Sequence, residues 1–440
     1  MKRFFIFVMA FVVTLTVCAQ QVKDEIMQNP CLSASNYLAY PGPAQKALTP
    51  APKGYKPFYI SHYGRHGSRY LIGDDEYDRP LTILKTANRE GKLTPLGQDV
   101  LRRVKVMWDE SYKRLGELSP LGAQQHKDIA HRMYERFPEV FKGNADIDAK
   151  STIVIRCILS MENELQQLLI LNPKLNITHD ASEHDMYYMN FDDKLLTKRK
   201  KPAGVWAQYQ SYRKQHLDYT RLMESLFNDK SYVYRNIDAD DFGYRLFKLA
   251  SNLQSIEARK DMTLYDIFTK DELYANWQME NVRWYIEYGA CPLNGGQQPF
   301  SQRNLLRNII TQADSCIATG KNCATLRFGH ETMVLPLTCL LGLNGYDMQI
   351  SDFDKIEEQG WINYRIFPMG ANIQFVFYRR NADDKDVLVK VLLNENEATL
   401  PIASDMKPYY RWSDFKEYYM NKIKSYRLRR NDLYRDIEYL

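Results

Sequence analysis

An α/β fold, with a mainly parallel central sheet, helices on both faces and an inserted, mostly α-helical cap, is what this 440-residue sequence predicts. Three observations carry that prediction. Strand-like runs rich in β-branched and aromatic residues at 56–63, 151–156 and 323–328 each precede a stretch of helical periodicity, the alternation of a sheet covered on both sides. Between about 178 and 300 the strand signals fade, and Tyr, Trp, Lys and Asp rise over helical stretches instead. Two further strand-like runs, at 371–380 and 386–402, return the chain to the sheet. Residues 20–177 and 301–440 are thus expected to form the two parts of the core, with 178–300 inserted as the cap.

Taken in order, residues 1–19 (MKRFFIFVMAFVVTLTVCA) read as a cleaved secretory signal, with Lys2 and Arg3 ahead of an apolar run and a small-residue site ending at Ala19. The run is too short and wrongly flanked for a membrane span, and no later run is long enough to cross a bilayer. The protein is therefore placed as secreted or periplasmic. Acylation of Cys18 as a lipoprotein anchor is the lesser alternative, because Val17 is bulkier than the residue usual there. Residues 20–55, rich in Pro, Ala and Gly, form an extended lead-in to the first strand, KPFYISHY (56–63). Helices are expected over 81–107 and 119–142. The second opens on Ser119 as N-cap and Pro120 at the first helical position, with Leu121, Ile129, Met133 and Phe137 following at near-helical spacing. STIVIR (151–156) is the second strand and leads into helical CILSMENELQQLLIL; CATLRF (323–328) is the third, followed by His330 and another helical run. ANIQFVFYRR (371–380) and DVLVKVLLNENEATLPI (386–402) are the later strands, the last turning at Asn394-Glu395-Asn396. The C-terminal residues 415–440 read as a surface helix of mixed charge.

Charge and cysteine usage narrow the partners. Removing residues 1–19 takes two cations and no acid, lowering the formal net charge from +5 to +3, too mild a balance for nucleic acid binding. Six cysteines remain. Cys316 and Cys323 close a short polar loop and are candidates for a disulfide in an exported chain, whereas Cys157 and Cys339 sit in apolar runs as buried thiols. No CxxC pair or His-rich spacing points to a metal, so no metal or other cofactor is expected, and a monomer is.

The chemistry gathers past the predicted strand ends. Arg65, His66 and Arg69 follow the first strand, Arg156 ends the second, and His330-Glu331 follow the third. In open parallel sheets that edge binds ligands. Three arginines and two histidines make a cationic pocket best matched by phosphate, whose oxygens guanidinium forks hold in pairs. A histidine flanked by arginines stays neutral more easily, leaving a ring nitrogen free to attack phosphorus and form a phosphohistidine. The arginines stabilise the equatorial oxygens, a task often given to a metal. Gly64 and Gly67 let the backbone approach the phosphate, and Glu331 is the natural proton donor to the leaving alkoxide. Plainer readings stand beside these. Arg156 can pair a buried acid, His330 can be a core histidine and Glu331 a dipole partner in a first helical turn. Lys198, Arg199, Lys200 and Lys201, candidates for additional phosphate contacts, can be a solvated face, and His62 can be sheet packing.

RHGSR (65–69) followed by HET (330–332) resembles the histidine acid phosphatase branch of the histidine phosphatase superfamily (branch 2), whose signatures are RHGxR and a later HD or HAE. GELSPLGAQQHKDIAHRMYERFP (116–138) is similar to that family's G-E-L-T-x-x-G-x-x-Q stretch, STIVIRCILS to the segment carrying its third phosphate-binding arginine, and ANIQFVFYRR to a later core strand. The aromatic insertion looks most like the multiple inositol polyphosphate phosphatase subgroup, which includes bacterial phytases. The resemblance implies a phosphoglycerate mutase-like core. It makes His66 the nucleophile, Arg65, Arg69, Arg156 and His330 the phosphate clamp, and Glu331 the proton donor. Leu71 stands where the family usually has Pro. Thr332 stands where the subgroup places its acid, so the carboxylate comes either from Glu331, at the HD position, or from elsewhere in the chain. The expectation is an exported, metal-independent phosphomonoesterase acting on a small-molecule phosphate ester, inositol polyphosphates such as phytate foremost. A broad acid or sugar phosphatase, or a phosphate-binding surface module without catalysis, are the alternatives.

Overall fold

The computed structural model describes residues 21–320 and 323–428; the predicted signal segment with Cys18, and the tail of the C-terminal helix, lie outside them. The structure is organised on strand β1 (Lys56–Arg65), buried without interruption from Tyr59 to Arg65. Tyr59, Ser61 and Tyr63 alternate along it with Ile60 and His62, so both of its faces demand cover. The other strands are β2 (Asp146–Ser151), β3 (Asn176–Asp180), β4 (Ala324–Gly329), β5 (Asn372–Arg379), β6 (Leu388–Leu393), β7 (Asn396–Glu397) and β8 (Tyr410–Arg411). The order is β3-β2-β4-β1-β5-β6-β7, with β8 on β6. The first four in that order are mutually parallel. The predicted later strands β5 and β6 join antiparallel, which makes the sheet mixed. Asn394 and Glu395 both take positive φ in the predicted turn that follows β6.

Helices cover both faces. On one side Tyr59, Tyr63, Phe375 and Phe377 pack against α6 (Lys270–Tyr288), α7 (Arg303–Thr319), α8 (Glu331–Leu341) and α9 (Trp412–Leu428). On the other, Ile60, Leu326, Phe328 and Val376 meet α3 (Pro120–Arg136) and α4 (Ile155–Leu171). A third apolar cluster joins Tyr70 and Leu71, just past the end of β1, to α1 (Asp75–Arg89), α2 (Pro95–Ser111) and α5 (Ala239–Leu253). No described helix is long and apolar enough to cross a membrane.

Four local expectations change. The lead-in is not extended throughout: residues 21–28 are α-helical and Pro30–Tyr37 form a 3-10 helix, and only the chain beyond them runs extended to β1. The second strand is not STIVIR but Asp146–Ser151, where Ile147, Ala149 and Ser151 alternate inward while Asp146, Asp148 and Lys150 stay half exposed. The β-branched run beyond it is a turn and the start of α4, with Ile153 and Ile155 facing outward. Arg156 therefore stands in the first turn of a helix rather than ending a strand. The helix predicted over 81–107 is two, α1 and α2, parted by a turn in which Gly91 has φ of 66°. All six described cysteines are free thiols; Cys316 turns into the core toward Tyr59 and Thr325 rather than toward Cys323.

Candidate active site

Strand register assembles the site. β1 and β4 run parallel with Arg65 beside Gly329, so the residues that follow each, His66 and His330, emerge together at the same sheet edge. Their rings lie edge to face, with centroids 5.8 Å apart. The backbone between them is fixed by hydrogen bonds: His66 N–H donates to Gly329 O (2.9 Å), Arg65 N–H to Ala371 O (2.7 Å) and Gly370 N–H to His66 O (3.0 Å).

Two helices grip the loop from behind. Gly67 N–H donates to Ser160 Oγ of α4 (3.1 Å), and Ser68 N–H to Gln125 Oε1 of α3 (2.8 Å). Beside these contacts His126 of α3 and Glu164 of α4 form a buried pair, Nδ1 to Oε2 at 3.0 Å, which ties the helices together. The approach is so close that a β-carbon on Gly67 would lie 2.4 Å from Gly122 O, and one on Gly122 would lie 2.2 Å from Ser68 O. Glycine at 67 and at 122 is a steric requirement of this contact.

The ring of His66 is oriented for one task. Its Nδ1 lies 2.9 Å from Gly67 O, an acceptor only, so Nδ1 carries the proton and Nε2 presents a lone pair. Nε2 is buried without a hydrogen-bond partner and sits 3.6 Å from Glu331 Oε2. Burial, then the charges of Arg65, Arg156, Arg69 and His330, hold the imidazole well below its usual pKa of 6.5.

Around Nε2 stand the guanidinium groups. Arg65 is fully buried; Nη1 donates to Asn36 O (2.6 Å) and Phe367 O (2.9 Å), while Nη2 is unpartnered and Nε lies 3.1 Å from Glu331 Oε2. Burial, joined by the neighbouring arginines, lowers its pKa to about 10. Arg69 stacks over the Tyr37 ring and donates through Nη1 to Tyr70 O (2.9 Å). Arg156 is half-buried, with Nη1 3.4 Å from Gly116 O. His330 is held by Thr152 Oγ1 at 3.3 Å and Cys157 Sγ at 3.8 Å, and burial drops its pKa to about 4. Glu331 feels opposite pulls. Burial, the largest influence, raises its pKa, but Arg65, Arg69 and His330 together overcome it and hold the carboxylate at about 2.

The six predicted residues Arg65, His66, Arg69, Arg156, His330 and Glu331 thus converge. Ligand atoms of His66, His330 and Glu331 also lie within 4.8 Å of one another, a spacing compatible with a metal, but three guanidinium groups bordering the same space oppose a cation there. The basic run 198–201 divides. Lys198 and Arg199 are exposed, and Lys201 pairs with Glu287 at 3.1 Å. Lys200 alone is turned inward, 4.0 Å over the Tyr288 ring, lining a cavity of about 160 Å³ with Gln298, Gln302 and Thr332. Sequence reasoning missed Asn36, Tyr37, Gln125, Thr152, Cys157 and Ser160, which orient the clamp from distant parts of the chain. Only the GxxQ spacing around Gln125 gave a signal.

Comparison with known proteins places the chain in a family. The family model of the histidine phosphatase superfamily (branch 2) matches residues 64–394. The chain is 21% identical over 394 residues to multiple inositol polyphosphate phosphatase 1 of Gallus gallus, covering 83% of this chain and 84% of that one. Among solved structures, the Bifidobacterium longum multiple inositol polyphosphate phosphatase in complex with inositol hexasulfate superposes with a TM-score of 0.74 at 18% identity, covering 87% of this chain and 96% of that one. The phytase from D. castellii superposes with a TM-score of 0.67 at 13% identity, covering 89% and 85%.

Proposed function

The chain belongs to branch 2 of the histidine phosphatase superfamily, and on that premise we propose an exported, metal-independent phosphomonoesterase that hydrolyses inositol polyphosphates through a phosphohistidine. The observation that carries the mechanism is the unpartnered Nε2 of His66, aimed into a space bordered by three guanidinium groups. Arg65, Arg69, Arg156 and His330 hold the phosphate oxygens. Nε2 attacks phosphorus as the P–O bond to the alcohol breaks, and the arginines carry the charge of the transition state.

Glu331 supplies the proton to the departing oxygen. In the free protein its carboxylate leans on Arg65 and is held ionised. A phosphate dianion entering the clamp takes over Arg65 Nε and adds negative charge to the same buried space. Both changes raise the carboxyl pKa, so Glu331 becomes an acid once substrate is bound. After the alcohol leaves, Glu331 accepts a proton from water as the water oxygen attacks phosphorus. The P–N bond breaks, and phosphate and neutral His66 are restored. Lys200, the inward member of the basic run, would meet a second phosphate of the same substrate; it lines a cavity with Thr332, the neighbour of Glu331. The export reading rests on residues 1–19, and the inositol polyphosphate reading on the relatives.

Phosphate release from phytate at mildly acidic pH, with chelator present, tests this. Turnover is expected in the parent protein and is expected to be undetectable in His66→Ala. Undiminished release by His66→Ala would refute the phosphohistidine, and failure to turn over any monoester would refute the enzyme.

A further inference from the structure

The outer lip of the phosphate clamp has an unexpected character. Among the described residues, thirteen large apolar side chains are more than a third exposed, and five of them, Ile72, Leu115, Ile153, Ile155 and Leu159, fall in three segments that meet at Arg156. Gly116 is the meeting point: a β-carbon there would lie 3.6 Å from Arg156 Nη1 and 3.7 Å from Ile72 Cγ1, and Leu115 precedes it. Ile155 adjoins Arg156 at the start of α4, and Leu159 follows one turn later on the same helical face. The most exposed of the five, Ile155 at 61%, Ile72 at 53% and Ile153 at 51%, thus lie in the segments around Arg156, whose charge acts on His66. Single exposed aliphatics are ordinary, whereas a gathering of them is the character of a binding surface.

Helix stability does not explain these residues. The N-cap of α4 is Val154, with no side-chain hydrogen bond, where a Ser, Thr, Asp or Asn would stabilise the helix.

We propose that this lip receives the apolar leaving group of a second substrate class, alkyl phosphomonoesters. The inference rests on the phosphate clamp described above. The ester's phosphate sits on Arg65, Arg69 and Arg156, and its hydrocarbon chain lies along Ile72, Ile153 and Ile155. The charged head and the apolar tail each meet a complementary surface across the single residue Arg156. The bond cleaved is the same P–O bond, with the proton passing from Glu331 to the alkoxide.

Alkylphosphonates, which cannot be hydrolysed, separate this binding claim from the phosphatase reading. Calorimetry on the full mature protein with ethyl-, butyl-, hexyl- and octylphosphonate, below their aggregation limits, is expected to show affinity rising with chain length. A chain half-buried on the lip should gain about tenfold or more from ethyl to octyl. The double variant Ile72→Ser/Ile155→Ser, altered only at exposed positions, is expected to flatten the series, and kcat/KM for the matching alkyl phosphates should follow. A flat series in the parent protein overturns the inference. So does a gain that persists in the variant, or a variant that changes the sedimentation coefficient instead, which would give the face to a second copy of the chain. Affinity that climbs with chain length without turnover of any phosphate ester would sustain the lip and refute the phosphatase.

Discussion

Glu331 has two incompatible states, and the residues around it decide which is occupied. Against Arg65 it is a carboxylate with a pKa of about 2, useless as an acid; in the proposed mechanism it regains a proton beside a bound phosphate. Glu331→Gln should therefore slow esters of poor leaving groups by roughly 10²–10⁴-fold, the usual worth of general acid catalysis, while nitrophenyl phosphate loses less than about tenfold. Steady-state rates on the two substrate types check this, and equal losses would remove Glu331 as the donor. His66, Arg65 and Arg69 were legible in the sequence because they share one pentapeptide, and His330-Glu331 because they follow a buried strand. Tyr37 and Asn36 were not: they reach Arg69 and Arg65 only through the packing of a lead-in segment that carries no pattern of its own.

The contact of the catalytic loop with α3 is unforgiving, because its atoms are backbone. A methyl at Gly122 would overlap the carbonyl of Ser68, which neither element can move without shifting His66. Gly122→Ala is expected to lower kcat at least tenfold and to cost about 1–3 kcal/mol in urea unfolding, whereas Gly204→Ala, in a helical first turn with nothing within 4 Å, should leave kcat unchanged and not lower stability. Strands β1, β4, β5 and β6 were readable as elements because burial on both faces leaves nearly continuous apolar runs. β2 was hidden for the opposite reason. DIDAKS buries only alternate, mostly small residues and carries three charges, while the neighbouring IVI (153–155) has the composition of a strand but serves a turn with Ile153 and Ile155 exposed.

Across the whole molecule, pH acts on groups buried in one protonation state. Burial holds His62 and His330 neutral, each down to about 4, and with the neighbouring charges holds His66 well below 6.5. Below the ordinary value of 6.5 the unfolded chain binds protons that the folded one refuses, so this contribution to stability is full above pH 6.5 and is lost as pH falls toward 4. Thermal melts should show Tm declining over that window. Glu357 acts with the opposite sign. Burial raises it from 4.5 to about 7, so its stabilising contribution is present below pH 4.5 and lost as pH rises through 7. Glu357→Gln should accordingly raise Tm at pH 8 relative to the parent, and leave it nearly unchanged at pH 4.5.

The place of β1 in the sheet has a consequence for how the molecule comes into being. Its two hydrogen-bonded neighbours, β4 and β5, both come from the last third of the chain, so about 260 residues separate β1 from its first partner. A nascent chain carrying only its first half has a central strand rich in apolar and aromatic residues, with two open edges and no way to close them. Contacts of such long range are formed late, and the cost of closing the loop is met before any of the reward arrives. The first half of the polypeptide therefore emerges from the ribosome without its sheet, and the central strand gains its neighbours only when the last third of the chain has followed.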